Sequence, residues 1–175
     1  MDGAWEQVGP DRTAYQGFVR VIHRTLRLPD GREAVWDMLD APATATVLPL
    51  TVDGDVVLVR QFRAGPMAQV LSLPGGLVEE GEPPEAAAAR ELREETGYAA
   101  ELIEPVVAIH ANFRTRPSYT LVARGCRLVG EPDLDDFEDC EPVVVSVAEL
   151  RRLLRRGEVV TAEQAYLALD FLGLL

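Results

Sequence analysis

Between residues 76 and 98 the chain reads GLVEEGEPPEAAAARELREETGY, and this stretch restricts what the chain can fold into more than any other. Pro83 and Pro84 suit the first turn of a helix, where a missing N–H costs nothing, and Gly97 suits the left-handed residue that ends one. The alanines and other good helix formers between them predict about three helical turns. Glu91 and Glu95 then stand one turn apart, with Glu94 beside Glu95. At about 100° per residue the three carboxylates share an arc of roughly 100°. Ala88, Ala89, Leu92 and Thr96 fill the neighbouring arc, which predicts a packed stripe beside an open acidic one.

Three carboxylates on one short face repel one another unless a cation lies among them. Hard oxygen ligands of this kind suit Mg²⁺ or Mn²⁺, often shared with substrate phosphates. The plainer alternative is a solvated acidic face balanced by Arg90 and Arg93.

The chain's 175 residues suffice for one core and leave little room for two independent domains. No apolar run approaches the roughly 18 residues that span a membrane, and the first fifteen residues lack the basic and apolar blocks of a signal peptide. A cytoplasmic protein without membrane partners is expected. Cys126 and Cys140 make no C-x-x-C pair and read as reduced thiols. A net charge of −12 argues against nucleic-acid binding through a basic surface. A divalent cation bound by glutamates would reverse the local sign and admit a polyanionic substrate.

Residues 17–28 and 33–39 read as two strands of a hairpin around Pro29-Asp30-Gly31, and residues 43–50 and 55–62 as another across Asp53-Gly54. Further strands are expected at 69–73, 100–109, 118–126 and 142–147. Ser146 with Glu149, and Thr161 with Gln164, carry capping-box spacing before two C-terminal helices. Interleaved strands and helices predict an α/β fold, layered around one mixed sheet.

The 76–98 segment matches the Nudix box: G, five residues, E, seven residues, then R-E-U-x-E-E-x-G-U, where U is a bulky apolar residue. Tyr98 is larger than the usual aliphatic at the last position. The chain therefore resembles the Nudix hydrolases. The resemblance implies an α/β/α sandwich over residues 43–175, with residues 1–42 as an added N-terminal antiparallel β hairpin or sheet. The N-terminal strands, LPDGRE, VLPL, VVLVRQFR and LPGG together resemble the ADP-ribose pyrophosphatase and nucleoside diphosphate sugar hydrolase branch. In that branch the N-terminal strands commonly swap within a homodimer; a hairpin packed on its own subunit is the alternative.

The resemblance also assigns roles. Glu91, Glu94 and Glu95 become metal-facing carboxylates, joined by the backbone carbonyl of Gly75, while Glu82 holds a further metal or braces its loop. Arg90 becomes an internal counter-ion. In relatives a glutamate of a loop far beyond the box often activates the water. Here the 133–141 acidic loop offers Glu138 first, with Glu141 and Asp136 as alternatives and a box glutamate as another. Arg60 and Arg63 match the R-Q-Y-R segment of relatives, and arginine's planar fork suits diphosphate oxygens. Arg114 and Arg116 are further phosphate candidates. Trp36 lies where relatives place a base-stacking aromatic, with Phe62, Phe113 and Tyr119 as other aromatic faces. His23 and His110 belong to no catalytic pattern.

The expected substrate is ADP-ribose or a related nucleoside diphosphate sugar, cleaved to a nucleoside monophosphate and a sugar phosphate. Several features depart from ADP-ribose pyrophosphatases: Ser72 replaces an acidic residue, Gly75-Gly76 replaces Ala-Gly, and the proline past the box is displaced to Pro117. A GDP-mannose-type hydrolase, a house-cleaning hydrolase of oxidised nucleoside triphosphates and a non-catalytic nucleotide-sugar-binding module stay open.

Overall fold

The computed structural model of the chain describes residues 4–134 and 139–175, which fall into two compact units. The first joins the residues up to 42 to the segment 110–117; the second holds 43–109 and 118–175.

The first unit is an antiparallel sheet of β1 (Glu6–Gln7), β2 (Arg12–Gln16), β3 (Arg20–Arg27) and β4 (Glu33–Asp40). β3 and β4 pair over their whole length, from Arg20↔Asp40 to Arg27↔Glu33, as the turn residues predicted. Gly31 has φ 87° and donates its N–H to Leu28 O at 2.9 Å, closing that turn. β1 and β2 share the other edge of β3. Sequence reading does not find these two strands, because every residue in them is exposed and no apolar alternation marks them. An ion pair adds to their backbone pairing: Arg24 of β3 grips both carboxylate oxygens of Asp11, just before β2, at 3.0 and 2.7 Å. Segment 110–117 runs beside the end of β4, with Leu39 N–H donating to Phe113 O and Thr115 N–H to Leu39 O.

The second unit is built on β5 (Thr44–Thr51), which lies parallel to β11 (Ser118–Leu128) and antiparallel to β8 (Gly75–Leu77). β10 (Leu102–Ile109) flanks β11, and the short β9 (Tyr98–Ala99) pairs its far end. β6 (Val56–Arg63) is paired on its two edges by β7 (Ala68–Ser72) and β12 (Glu141–Val145). The hairpin expected between β5 and β6 keeps a single register pair, Leu50↔Val56. Beyond it the strands part and serve different partners.

Alternation along β5 builds two cores. Ala45 and Val47 meet Ala87, Ala88 and Leu92 of α1 (Pro84–Thr96). Leu48 meets Leu58 of β6, Leu150 and Leu154 of α2 (Val147–Arg155) and Leu169 of α3 (Ala162–Phe171). The result is a mixed sheet with helices on either side. Leu92 is fully buried, so truncating it to alanine would cost roughly 2–5 kcal/mol.

The helix ends obey their caps, with one exception. Gly97 is left-handed at φ 72° and its N–H reaches Arg93 O. Ser146 Oγ accepts from Glu149 N–H at 3.2 Å, while the Glu149 carboxylate turns to Arg152. Thr161 makes no cap hydrogen bond; its Oγ1 instead accepts from Leu73 N–H at 2.8 Å. That backbone donor comes from across the fold, which spacing within the sequence does not show. Among the described residues no helix is long and apolar enough to cross a membrane.

Candidate active site

The loop before α1 brings β8 under the helix. A Cβ on Gly75 would overlap the carbonyl of Ala45, and one on Gly76 would overlap the Glu91 carboxylate. Only glycine lets the backbone pass between β5 and the glutamates here. Gly75 N–H donates to Glu95 Oε2 at 2.8 Å. Glu91 and Glu95, one helical turn apart, thus both close on the Gly75-Gly76 end of β8.

Arg90 stands among the remaining carboxylates. It donates to both oxygens of Glu82 at 3.2 Å, to Glu91 Oε1 at 2.8 Å, to Glu94 Oε2 at 3.1 Å and to Leu77 O at 2.9 Å. Hydrogen bonding to Glu82 above all pushes the guanidinium pKa further up. The same bond, helped by Glu79 N–H, holds the Glu82 carboxyl below its ordinary value.

The acidic stripe differs from expectation in one respect. Glu95 is not open but 4% exposed, and Ala87 rather than Ala89 packs beside Ala88. Gly75 and Cys140 close over Glu95, and an isolated helix cannot show that cover. Cys140 Sγ lies 3.6 Å from Glu95 Oε1 and 3.7 Å from Gln61 Oε1, and Gln61 Nε2 donates to Ser72 Oγ at 3.0 Å. Sequence reasoning missed these three residues; the polar Gln61 inside an otherwise valine-rich strand is the one signal that pointed to them.

Among the described residues no three acidic, imidazole or thiol side chains form a ready-made metal cage. The donor set nevertheless fits a divalent cation. Glu82, Glu91 and Glu94 share one guanidinium, and Glu95 stands one turn from Glu91, leaving an excess of negative charge on hard oxygen donors.

The two arginines of β6 separate by alternation. Arg60 pairs with Glu141, its cross-strand partner, at 2.8 Å. Gln61 and Arg63 share the opposite face, the one that leads through Gln61 to Glu95. Asp139 accepts from Phe62 N–H at 2.9 Å and from Gln69; these bonds, with Arg63 nearby, lower its pKa. Asp133 N–H donates to Glu94 O at 2.9 Å, so both described flanks of the acidic loop attach near neighbouring glutamates of α1. Glu138 and Asp136 lie outside the described residues; Glu141 is the acid held by Arg60.

The remaining candidates belong to the first unit. Trp36 is half-exposed and meets Trp5 edge to face, ring centroids 6.3 Å apart. Arg114 Nη2 donates to Pro42 O, while its buried Nε has no hydrogen-bond partner among the described residues. Arg116 is exposed, and His23 pairs with Asp37. In the second unit Phe62 is exposed and Tyr119 packs against the α1 core.

A Gly-Gly strand clasped by the glutamates of one helix, inside a mixed sheet covered on both sides, defines a Nudix hydrolase. The chain belongs to that family: the NUDIX domain profile matches residues 40–166. Its enzymes generally use divalent metal ions. The chain is similar to the ADP-ribose pyrophosphatase of Bacillus subtilis (strain 168), 31% identical over 152 residues that span 85% of this chain and 82% of that one. It also resembles the ADP-ribose pyrophosphatase of Mycobacterium tuberculosis, 29% identical over 155 residues, 86% of this chain and 75% of that one. A crystal structure of an ADP compounds hydrolase shares the fold with a TM-score of 0.77 and 20% identity, covering 98% of this chain and 97% of the other.

Proposed function

We propose that this protein hydrolyses the diphosphate of ADP-ribose or a related nucleoside diphosphate sugar, releasing a nucleoside monophosphate and a sugar phosphate, with Mg²⁺ or Mn²⁺ as cofactor. The closure of Glu91 and Glu95 on the Gly75-Gly76 strand carries this reading. The ADP-ribose pyrophosphatases similar to the chain support the substrate class.

Glu91, Glu94 and Glu95, with the Gly75 carbonyl, are the residues to hold the cation, and Glu82 braces the loop or holds a further one. When bound, the cation neutralises phosphoryl charge and lowers the pKa of a coordinated water. Arg63, which shares a face of β6 with Gln61, is the diphosphate contact in this reading. Glu138 is the base that takes the water proton as the water oxygen bonds to phosphorus. The bridging P–O bond breaks and its electron pair leaves with the departing phosphate. Trp36, Arg114 and Arg116 are the first unit's candidates for the base and outer phosphate.

A homodimer is part of this reading. Tyr15, Phe18, Val19 and Val35 are exposed apolar groups of the first unit that a second subunit would cover. Cys126 and Cys140 are buried thiols outside any disulfide, which agrees with a reducing, cytoplasmic setting. A panel of ADP-ribose, GDP-mannose, UDP-glucose and 8-oxo-dGTP, with products identified, tests the substrate. Turnover of ADP-ribose to AMP and ribose 5-phosphate is expected. Preference for the oxidised triphosphate, or no turnover of any diphosphate, would overturn the proposal.

A further inference from the structure

We infer that Cys140 is a positioning residue for Glu95: its thiol and the Gly75 N–H hold the two oxygens of that carboxylate and fix its rotation for metal binding. The inference rests on the reading of Glu95 as a metal-holding group. Four polar side chains run in sequence through an otherwise aliphatic region. Ser72 is 2% exposed, Gln61 5%, Cys140 7% and Glu95 4%. Burying such groups costs about 1–3 kcal/mol each when a hydrogen bond is missing, so their mutual contacts decide how they point. The Gln61 amide is anchored first, by its donation to Ser72 Oγ at 3.0 Å. That turns its carbonyl toward Cys140 Sγ, at 3.7 Å. The thiol in turn meets Glu95 Oε1 at 3.6 Å, while Glu95 Oε2 accepts from Gly75 N–H at 2.8 Å. One carboxylate is therefore contacted on separate oxygens by β8 and by the chain just before β12.

The chemistry suits a thiol at this position. Its single proton faces two acceptors, and S–H is a weak donor. It can orient Glu95 Oε1 without competing strongly with a cation for the same oxygen, whereas a charged donor would add its own full charge beside the site. Ser72 helps to set this arrangement: its short hydroxyl accepts the Gln61 amide, and an acidic side chain would add a charge to a buried chain that already ends in one.

The test uses the full chain and its Cys140→Ala, Cys140→Ser, Gln61→Ala and Glu95→Gln variants, with three readouts: Mn²⁺ affinity from electron paramagnetic resonance of free ion, kcat and KM for ADP-ribose, and the Raman S–H band of metal-free protein. Removing the group that orients a metal ligand typically costs about 10–100-fold in affinity, so Cys140→Ala is expected to weaken Mn²⁺ binding about 10-fold at the low end. Its kcat should fall with KM unchanged, and Cys140→Ser should recover most of both losses through its hydroxyl. The S–H band, identified by its disappearance in Cys140→Ala, should shift in Glu95→Gln and in Gln61→Ala. Wild-type Mn²⁺ affinity in Cys140→Ala, or an S–H band unmoved by Glu95→Gln, would overturn the inference while leaving the metal reading standing. Wild-type Mn²⁺ affinity in Glu95→Gln would overturn both.

Discussion

Arg90 Nη1 donates to Glu91 Oε1 at 2.8 Å, although neighbours in a helix normally diverge. Both side chains turn toward β8 and its loop, where Arg90 also reaches Glu82 and Glu94. One guanidinium thus supplies the positive charge for three carboxylates that would otherwise repel. Arg90→Ala should destabilise the metal-free protein by about 2 kcal/mol, allowing for its partial exposure. That corresponds to a melting temperature about 4–8 °C lower in calorimetry. Added Mn²⁺ should restore part of the loss, because a second cation takes over the charge. A variant that melts with the wild type would show that Arg90 balances nothing.

Gly75 and Gly76 should fail in different ways. A Cβ at Gly75 meets the backbone of β5, which cannot move without breaking the β5–β8 pairing, so Gly75→Ala should lower thermal stability sharply. A Cβ at Gly76 meets the end of the Glu91 side chain, which can swing aside. Gly76→Ala should keep its circular dichroism spectrum and lose hydrolysis by about 10-fold or more. Equal melting and equal activity for the two variants would contradict this placement of Glu91.

Arg60 and Arg63 are three residues apart on β6 but face opposite sides. Arg60 is engaged by Glu141 and should tolerate alanine with little change in KM. Arg63→Ala should raise KM for a diphosphate substrate by about 10-fold, corresponding to roughly 1.4 kcal/mol of lost binding. Steady-state kinetics on the two variants decides the matter, and a larger effect from Arg60 would reverse the assignment.

The N-terminal sheet carries its own pH dependence. Hydrogen bonding from Arg24 holds the Asp11 carboxyl below its ordinary value of 3.8. A lowered folded-state pKa means that the contribution is complete above 3.8 and is lost as pH falls through the lower folded value. Asp11→Asn should therefore destabilise the protein at pH 7 by about 1 kcal/mol. The difference from wild type should shrink in denaturant titrations carried into acid below pH 3.8. A gap that stays constant with pH would exclude the ion pair as its source.

The elements that sequence reading placed are those with local signals. Pro84 and Gly97 bound α1, Asp30-Gly31 turns β3 into β4, and Ser146 caps α2. What was not legible depends on partners distant in the chain. The cover over Glu95 comes from Cys140, 45 residues later. Thr161 is drawn from its cap by the backbone of Leu73, 88 residues away. The parting of β5 from β6 follows the pairing of β5 with β8 and of β6 with β7, which take over the edges the two strands share at Leu50 and Val56. Periodicity reports which face of an element is apolar; it does not say which buried polar group will meet another.

In the proposed reaction the α1 glutamates hold a divalent cation used to split a diphosphate. Turnover of ADP-ribose with Mg²⁺, its products separated and identified, tests this directly when wild type and a folded Glu95→Gln variant are compared. The wild type should release AMP and ribose 5-phosphate only while free Mg²⁺ is present, and the variant should fall by about 100-fold or more. Undiminished release of the same products by Glu95→Gln, or by wild type in excess chelator, would contradict it.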